Sequence, residues 1–159
     1  MTPKVLRFLN KAHPELAKKV VIGRGFHNIE KIESVKDKNT DLIYYPDANG
    51  MKELMLGSDI SISAAGQTLY ELARVGVPTI AIDVAENQLN NIKGWQDAGF
   101  IWYAGHWKNR NIFEKIRIFI QEMKSSSIRK EKYRIGRNFV DGKGSVRIVN
   151  CLLNILSKR

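Results

Sequence analysis

The chain has 159 residues and a net charge of +10, with 43% of its residues hydrophobic, 26% charged and a single cysteine. That balance excludes a disordered chain, and one thiol neither closes an intramolecular disulfide nor completes a multi-cysteine zinc site. No run of about 18 apolar residues is present and the N-terminal MTPKVLRFLNKAHPEL lacks a secretory apolar core, so no transmembrane helix and a cytoplasmic, reducing location are expected.

The length suits one domain over residues 1–159. Thr2-Pro3 reads as an N-cap followed by proline at the first helical position, opening a helix through Asn10. Lys19–Gly23 is a buried strand, and Gly23-Arg24-Gly25 a turn. Asn28–Lys38 reads as a polar helix with Ile29 and Ile32 on one side. Leu42–Tyr45 is a second strand, stopped by Pro46 and a turn over Asp47–Gly50. Met51–Leu56 is a short helix and Ile60–Ser63 a third strand.

Ala64-Ala65-Gly66-Gln67 then leads into a helix ending at Val75, where Gly76 caps and Pro78 forbids continuation. Thr79–Ile82 is the fourth strand, followed by a loop at Asp83–Glu86 and a helix from about Asn87 to Gly99. Phe100–Tyr103 is the fifth strand, with Trp102 expected in the core. Residues from about 111 to 159 are helical. Asn111 caps a helix whose Ile112, Ile116, Phe119, Ile120 and Met123 share a face. A basic helix spans Ile128–Phe139, and Ser145 caps a last helix with a stripe of Val149, Leu152, Leu153 and Leu156. Cys151 lies in that apolar run and is expected to pack as a small hydrophobe. Short apolar strands alternating with helices predict an α/β fold, a Rossmann-like, doubly wound, mostly parallel sheet of about five strands.

Charge is uneven: residues 124–159 hold ten Lys or Arg against Glu131 and Asp141, a net +8, which leaves +2 for the first 123 residues. A basic end favours polyanions (nucleic acid, a membrane face, a phosphorylated small molecule) or is a solvated helical face. Nucleic acid is the less expected partner, because Trp95, Trp102 and Trp107 are not interleaved with basic residues. His13, His27 and His106 are scattered through predicted turns, so loop or surface roles are expected of them rather than metal ligation.

Ligands of open parallel sheets bind beyond the carboxyl ends of the strands. Two loops there carry suitable chemistry. In Ser63-Ala64-Ala65-Gly66-Gln67-Thr68, small residues let a ligand approach the main chain, and helix-start N–H groups favour phosphate; Glu71, one turn on, suits a pair of sugar hydroxyls. The same residues also read as a tight turn with Thr68 as cap. In Asp83-Val84-Ala85-Glu86-Asn87-Gln88, adjacent carboxylate and amide groups suit a sugar ring, or Asn87 caps a helix. Neither a P-loop nor a dinucleotide fingerprint is present.

Taken in order, Ala65-Gly66-Gln67-Thr68-Leu69-Tyr70-Glu71, Gly76-Val77-Pro78 and Ala85-Glu86-Asn87-Gln88 resemble the C-terminal, nucleotide-sugar-binding half of GT-B proteins. The similarity is greatest to the pseudaminic-acid pathway UDP-sugar hydrolase and spore-coat polysaccharide biosynthesis family, and more distant to the lipid-II-forming N-acetylglucosaminyltransferase. Asp141-Gly142-Lys143-Gly144 with Arg147 resembles the hydrolase's D-G-x-G-x-x-R ending, so the resemblance runs over roughly residues 2–156. It implies that Gly66, Gln67 and Thr68 hold the UDP diphosphate, Glu71 the ribose hydroxyls, and Glu86, Asn87 and Gln88 the sugar, with Tyr45 bordering the uracil. It also implies no metal and no cofactor, because helix-start amides and side chains offset the pyrophosphate charge.

Two departures qualify what the resemblance implies. Gln67 stands where family members usually have Ser. The family's half begins with a central strand and a Gly-Gly-Ser-Asp loop ahead of the helix matching Thr2–Asn10, and the hydrolase's catalytic histidine lies in an N-terminal half. The resemblance therefore implies a UDP-sugar-binding domain, hydrolase-like or glycosyltransferase-like, inactive alone and completed by a separate N-terminal-half subunit or by homodimerisation through the open edge. The rival expectation is a basic α/β module for nucleic acid or acidic surfaces.

Overall fold

The computed structural model describes residues 1–157; Lys158 and Arg159, the last cations of the basic segment, lie outside the described residues. Helices and strands alternate as α1 (Thr2–Ala12), β1 (Lys18–Ile22), α2 (Ile29–Glu33), β2 (Thr40–Tyr44), α3 (Ala48–Leu56), β3 (Ser61–Ala64), α4 (Thr68–Val75), β4 (Thr79–Asp83), α5 (Leu89–Asp97) and β5 (Ile101–His106). Three further helices follow, α6 (Ile112–Met123), α7 (Ser126–Phe139) and α8 (Gly144–Leu156), and a single 3-10 turn, Glu86–Gln88, precedes α5.

Every strand pairing is parallel, as short apolar strands separated by helices require. The expected sheet is nevertheless divided: β1 pairs only with β2, while β3, β4 and β5 form a separate sheet in that order. β4 lies at the centre of its sheet, and all five of its residues are buried. Its alternate side chains serve opposite faces. Ile80 and Ile82 pack with Val5 of α1 and with Ile112, Ile116 and Ile120 of α6, whereas Ala81 joins Leu69, Leu72, Ile92, Trp95 and Phe100. Burial on two sides explains why TIAI is continuously apolar. A smaller cluster of Leu6, Ile22 and Ile32 joins α1 and α2 to β1.

Several local expectations are corrected by hydrogen bonding. Met1, not Thr2, is the N-cap of α1. The polar helix beginning near Asn28 stops at Glu33, because the Asp37 carboxylate accepts from the Asn39 N–H at 3.1 Å and the Thr40 hydroxyl at 2.5 Å and turns the chain into β2. The supposed turn after Pro46 is the start of α3, where Asp47 accepts from the Gly50 N–H at 2.7 Å. Neither Asn111 nor Ser145 makes a capping bond; ahead of α8, Asp141 accepts from the Lys143 N–H at 2.9 Å and from Arg147 at 2.5 Å.

Trp102 is only half-buried, its Nε1 donating to Glu122 at 2.8 Å under the Lys132 ammonium. His13, expected in a turn with a loop or surface role, is the C-cap of α1 and is buried at 7% exposure. The largest departure is α8. No residue of it is buried, Cys151 is exposed rather than packed, and Val149, Leu152, Leu153 and Leu156 each show more than half of their surface to solvent.

Candidate functional site

The carboxyl ends of β3, β4 and β5 share one rim, and both loops singled out from the residues lie on it. After β3 the chain passes through Ala65, Gly66 and Gln67 into α4; after β4 it passes through Val84 and Ala85 into the 3-10 turn. The two loops touch. A Cβ built on Gly66 would lie 4.0 Å from Gln88 Nε2, and Asn91 Nδ2 donates to the carbonyls of Ala65 (3.0 Å) and Gly66 (3.2 Å). Gln88 in turn fixes its own loop, its Oε1 accepting from the Val84 N–H at 2.8 Å. Two side-chain amides thus brace the rim: Gln88 closes the loop after β4, and Asn91 ties the loop after β3 to α5.

The individual residues fall as follows. The Gly66 N–H is already spent on the Ala64 carbonyl at 2.8 Å, so in the turn from Ala65 to Thr68 the amides left free for an anion are those of Gln67 and Thr68. Thr68 is the first helical residue, with Gln67 before it at the cap position and no side-chain capping bond. Glu71 is exposed one turn into α4 and forms no ion pair among the described residues. Glu86 and Asn87 are exposed within the 3-10 turn, and Gln88 is half-buried. Tyr45 stands apart. It follows β2 on the other sheet, in the left-handed region at φ 49°, half-exposed, with its ring 6.2 Å from that of Tyr44.

A second group on the rim escapes sequence reasoning. Asp83, the last residue of β4, is 4% exposed; its Oδ1 accepts from the Tyr103 hydroxyl at 2.7 Å and its Oδ2 meets His106 Nδ1 at 2.7 Å. A bulge makes this possible. The register passes from Ala81 opposite Tyr103 to Ile82 opposite Gly105, skipping Ala104, which places His106 opposite Asp83. Gly105 sits at φ 115°, a conformation open to glycine. Burial works to raise the Asp83 pKa, but the Tyr103 hydroxyl and the His106 ring outweigh it and hold the carboxyl below its ordinary value. Burial and the adjoining carboxylate push Tyr103 up to about 12. Ending the predicted strand at Tyr103, three residues short, concealed His106. Asn91 gave no signal at all, since an amide on a helix surface is commonplace.

The rim is flanked by positive charge. Between the start of α1 and the loop after β1 lies a hollow of about 550 Å³ bordered by Lys4, Arg7, His27 and Lys31 and by no acidic residue. Lys4 also stacks over Trp107 at 5.3 Å, next to His106. Among the described residues no group of three or more His, Cys, Asp or Glu is placed to hold a metal ion.

Residues 2–133 match the family model described as the glycosyltransferase family 28 C-terminal domain. The chain belongs to that family. Along 139 residues, the family 28 domain is 28% identical to the spore coat polysaccharide biosynthesis protein SpsG of Bacillus subtilis, covering 85% of this chain and 40% of that protein. Over 83 residues it is 41% identical to the Helicobacter pylori pseudaminic acid cytidylyltransferase and UDP-2,4-diacetamido-2,4,6-trideoxy-beta-L-altropyranose hydrolase, covering 51% of this chain and 16% of that one. Among solved structures it resembles a chain of the GtfA/B complex, with a TM-score of 0.63 at 18% identity over 96% of this chain and 32% of that one. The family 28 domain is thus a GT-B C-terminal half with a Rossmann-like fold, related to polysaccharide biosynthesis proteins, and it spans less than half the length of these relatives. No helix among the described residues is long and apolar enough to cross a membrane.

Proposed function

We propose that this family 28 domain binds UDP or a UDP-sugar at the rim of β3, β4 and β5, as one wall of a two-part hydrolase-like or transferase-like site. In this reading the Gln67 and Thr68 amides take the diphosphate, Glu71 takes the two ribose hydroxyls, and Glu86, Asn87 and Gln88 address the sugar. The observation that carries it is the pair of hydrogen bonds from Asn91, in the first turn of α5, to the Ala65 and Gly66 carbonyls, which hold the phosphate-type loop against the helix that follows the sugar-type loop. The cation-lined hollow beside them adds a positive potential suited to a nucleoside diphosphate. The Helicobacter pylori relative, whose name specifies a UDP-sugar hydrolase, supports uridine as the nucleoside. Tyr45, on the other sheet, has no part in this reading.

A titration with UDP tests it. Glu71→Ala removes two charge-assisted hydrogen bonds to the ribose and should weaken UDP binding by about 10- to 100-fold, on the order of 1–3 kcal/mol. Raising salt should weaken UDP binding only modestly, through screening of the neighbouring cations. Binding of a random oligonucleotide through the basic α7 would instead fall steeply. Equal UDP affinity in wild type and Glu71→Ala would refute the assignment, and tight, salt-sensitive oligonucleotide binding without UDP binding would favour the basic module.

The same reading predicts no turnover by the isolated chain. Glu86 and Asn87 face open solvent, so nothing excludes water or orients an acceptor above a bound sugar. Purified protein incubated with UDP-sugars should release UDP at the rate of buffer; UDP release that scales with protein concentration would show that the chain is complete by itself.

A further inference from the structure

Strand β5 brings its last side chain to the rim on a face that an unbroken strand would deny it. Side chains alternate along a strand, so Tyr103 and Gly105 would share one face and His106 would take the other. The bulge skips Ala104 in the pairing with β4, and from there the alternation is reversed. His106 therefore joins Tyr103 on the face of Asp83, and the three meet: the Asp83 carboxylate lies 2.7 Å from both the Tyr103 hydroxyl and His106 Nδ1. The backbone of His106 is held on both sides. The Trp107 N–H donates to the Asp83 carbonyl at 3.0 Å, and the Asn109 N–H to the His106 carbonyl at 2.8 Å.

Donors and acceptors fix how the ring is protonated. The Asp83 side chain is 5% exposed, and its carboxyl, held below its ordinary value, is ionised at neutral pH and can only accept. His106 must then donate from Nδ1, which leaves the lone pair of the neutral imidazole on Nε2. The His106 side chain is 43% exposed, and no hydrogen bond among the described residues reaches Nε2. The neighbouring Trp107 ring, centred 6.3 Å away, is taken up by the ammoniums of Lys4 and Lys108 at 5.3 and 5.6 Å. The open polar atom at the end of β5 is thus an acceptor nitrogen. A buried carboxylate behind an imidazole is the arrangement that aims such a nitrogen at a hydroxyl group.

Strand order gives that hydroxyl its place. The strands run β3, β4, β5 along the rim, so the loop after β4 has the loop after β3 on one side and His106 on the other. Two inter-strand spacings, about 10 Å, separate the end of β3 from that of β5, enough for a phosphate and a pyranose ring. We propose that His106 forms the far end of the sugar subsite, its Nε2 accepting a hydrogen bond from a hydroxyl of the sugar carried by the nucleotide. This rests on the UDP-sugar reading above and adds a contact from β5 to those drawn from the two loops. Asp83 and Tyr103 are positioning residues. The carboxylate sets which ring nitrogen faces the sugar, and the Tyr103 hydroxyl holds the carboxylate in place.

Nitrogen NMR of the imidazole rings, on the full chain in mildly alkaline buffer, tests this directly. Without ligand, His106 should carry its proton on Nδ1 and leave Nε2 bare, the reverse of the tautomer that histidine favours in water. Asp83→Asn, which no longer demands a donor from the ring, should lose that preference. UDP-glucose or UDP-N-acetylglucosamine should shift the Nε2 resonance, and UDP should not. All three nucleotides should shift the backbone amides of Gln67 and Thr68, which report separately on the nucleotide reading. His106→Ala should lower the ratio of UDP-sugar to UDP affinity by about fivefold, the worth of one ordinary hydrogen bond. A proton on Nε2 in the free protein would overturn the proposal, as would equal Nε2 shifts with UDP and the UDP-sugars or an unchanged affinity ratio in His106→Ala. UDP-sugars that move Gln67 and Thr68 but leave His106 unmoved would overturn it and keep the nucleotide reading. Gln67 and Thr68 amides indifferent to every nucleotide would overturn both.

Discussion

Replacing Gly136 by valine should destabilise the protein by about 3 kcal/mol or more, lowering Tm by roughly 10 °C. Gly136 is a buried residue of α7 at its crossing with α4. A Cβ there would lie 2.7 Å from Phe100 Cε2, 2.8 Å from the Ala73 carbonyl oxygen and 3.0 Å from Ala73 Cα. Two of these three neighbours are backbone atoms, which no rotamer change moves. The helices must separate, and Phe100 and Ala73, both fully buried in the larger core cluster, lose their contacts. Gly94 in α5 provides the control. Nothing lies within 4 Å of its added Cβ, so Gly94→Ala should be neutral or stabilising by about 0.5–1 kcal/mol. Thermal unfolding of both variants checks the argument; equal Tm values would show that α4 and α7 are not packed this closely.

Asp83→Ala should cost about 3 kcal/mol and change how stability depends on pH. The substitution leaves the half-buried Tyr103 hydroxyl and His106 Nδ1 without their shared partner. The folded-state pKa of Asp83 is depressed, so its contribution is complete above the ordinary carboxylate value of 3.8 and is lost as pH falls through the lower folded value. Tyr103 behaves in the opposite sense. Raised from 10.0 to about 12, it contributes fully below pH 10, and that contribution is lost as pH climbs from 10 to 12. Wild type should therefore show one loss at the acid end and another at the alkaline end. Asp83→Asn, which keeps an oxygen for the Tyr103 hydroxyl but no charge, should flatten both. Unfolding measured between pH 3 and 11 tests this, and parallel profiles for wild type and Asp83→Asn would dismiss the carboxylate as the organising charge.

Element type and order were legible in the residues because local rules governed them. Gly76, left-handed at φ 87°, ends α4 where a C-terminal glycine should, and the doubly buried β4 betrayed itself as an uninterrupted apolar run. What stayed hidden was set at a distance. Whether strands join in one sheet depends on which edges meet, and periodicity carries no information about that. The bulge at Ala104 shifts register by a single residue, and its one trace, Gly105, lies beyond the strand end predicted at Tyr103, so the pairing of Asp83 with His106 was not anticipated. Of the candidate site, both loops could be named from their residue types, but the Asn91 bridge from α5 to the loop after β3 could not. For α8 the apolar stripe was readable, yet a stripe reports only that a helix has something to bury.

That last helix has a practical consequence. With Val146, Ile148, Val149, Leu152, Leu153, Ile155 and Leu156 all bathed in water, the end of the molecule resembles a surfactant more than a protein surface. It will adsorb to plastic, hydrophobic resin, detergent micelles and chaperones. A calorimetric test of the proposed UDP binding in plain buffer would therefore record clustering as well, and a mild non-ionic detergent below its micellar threshold is the medium in which to make it.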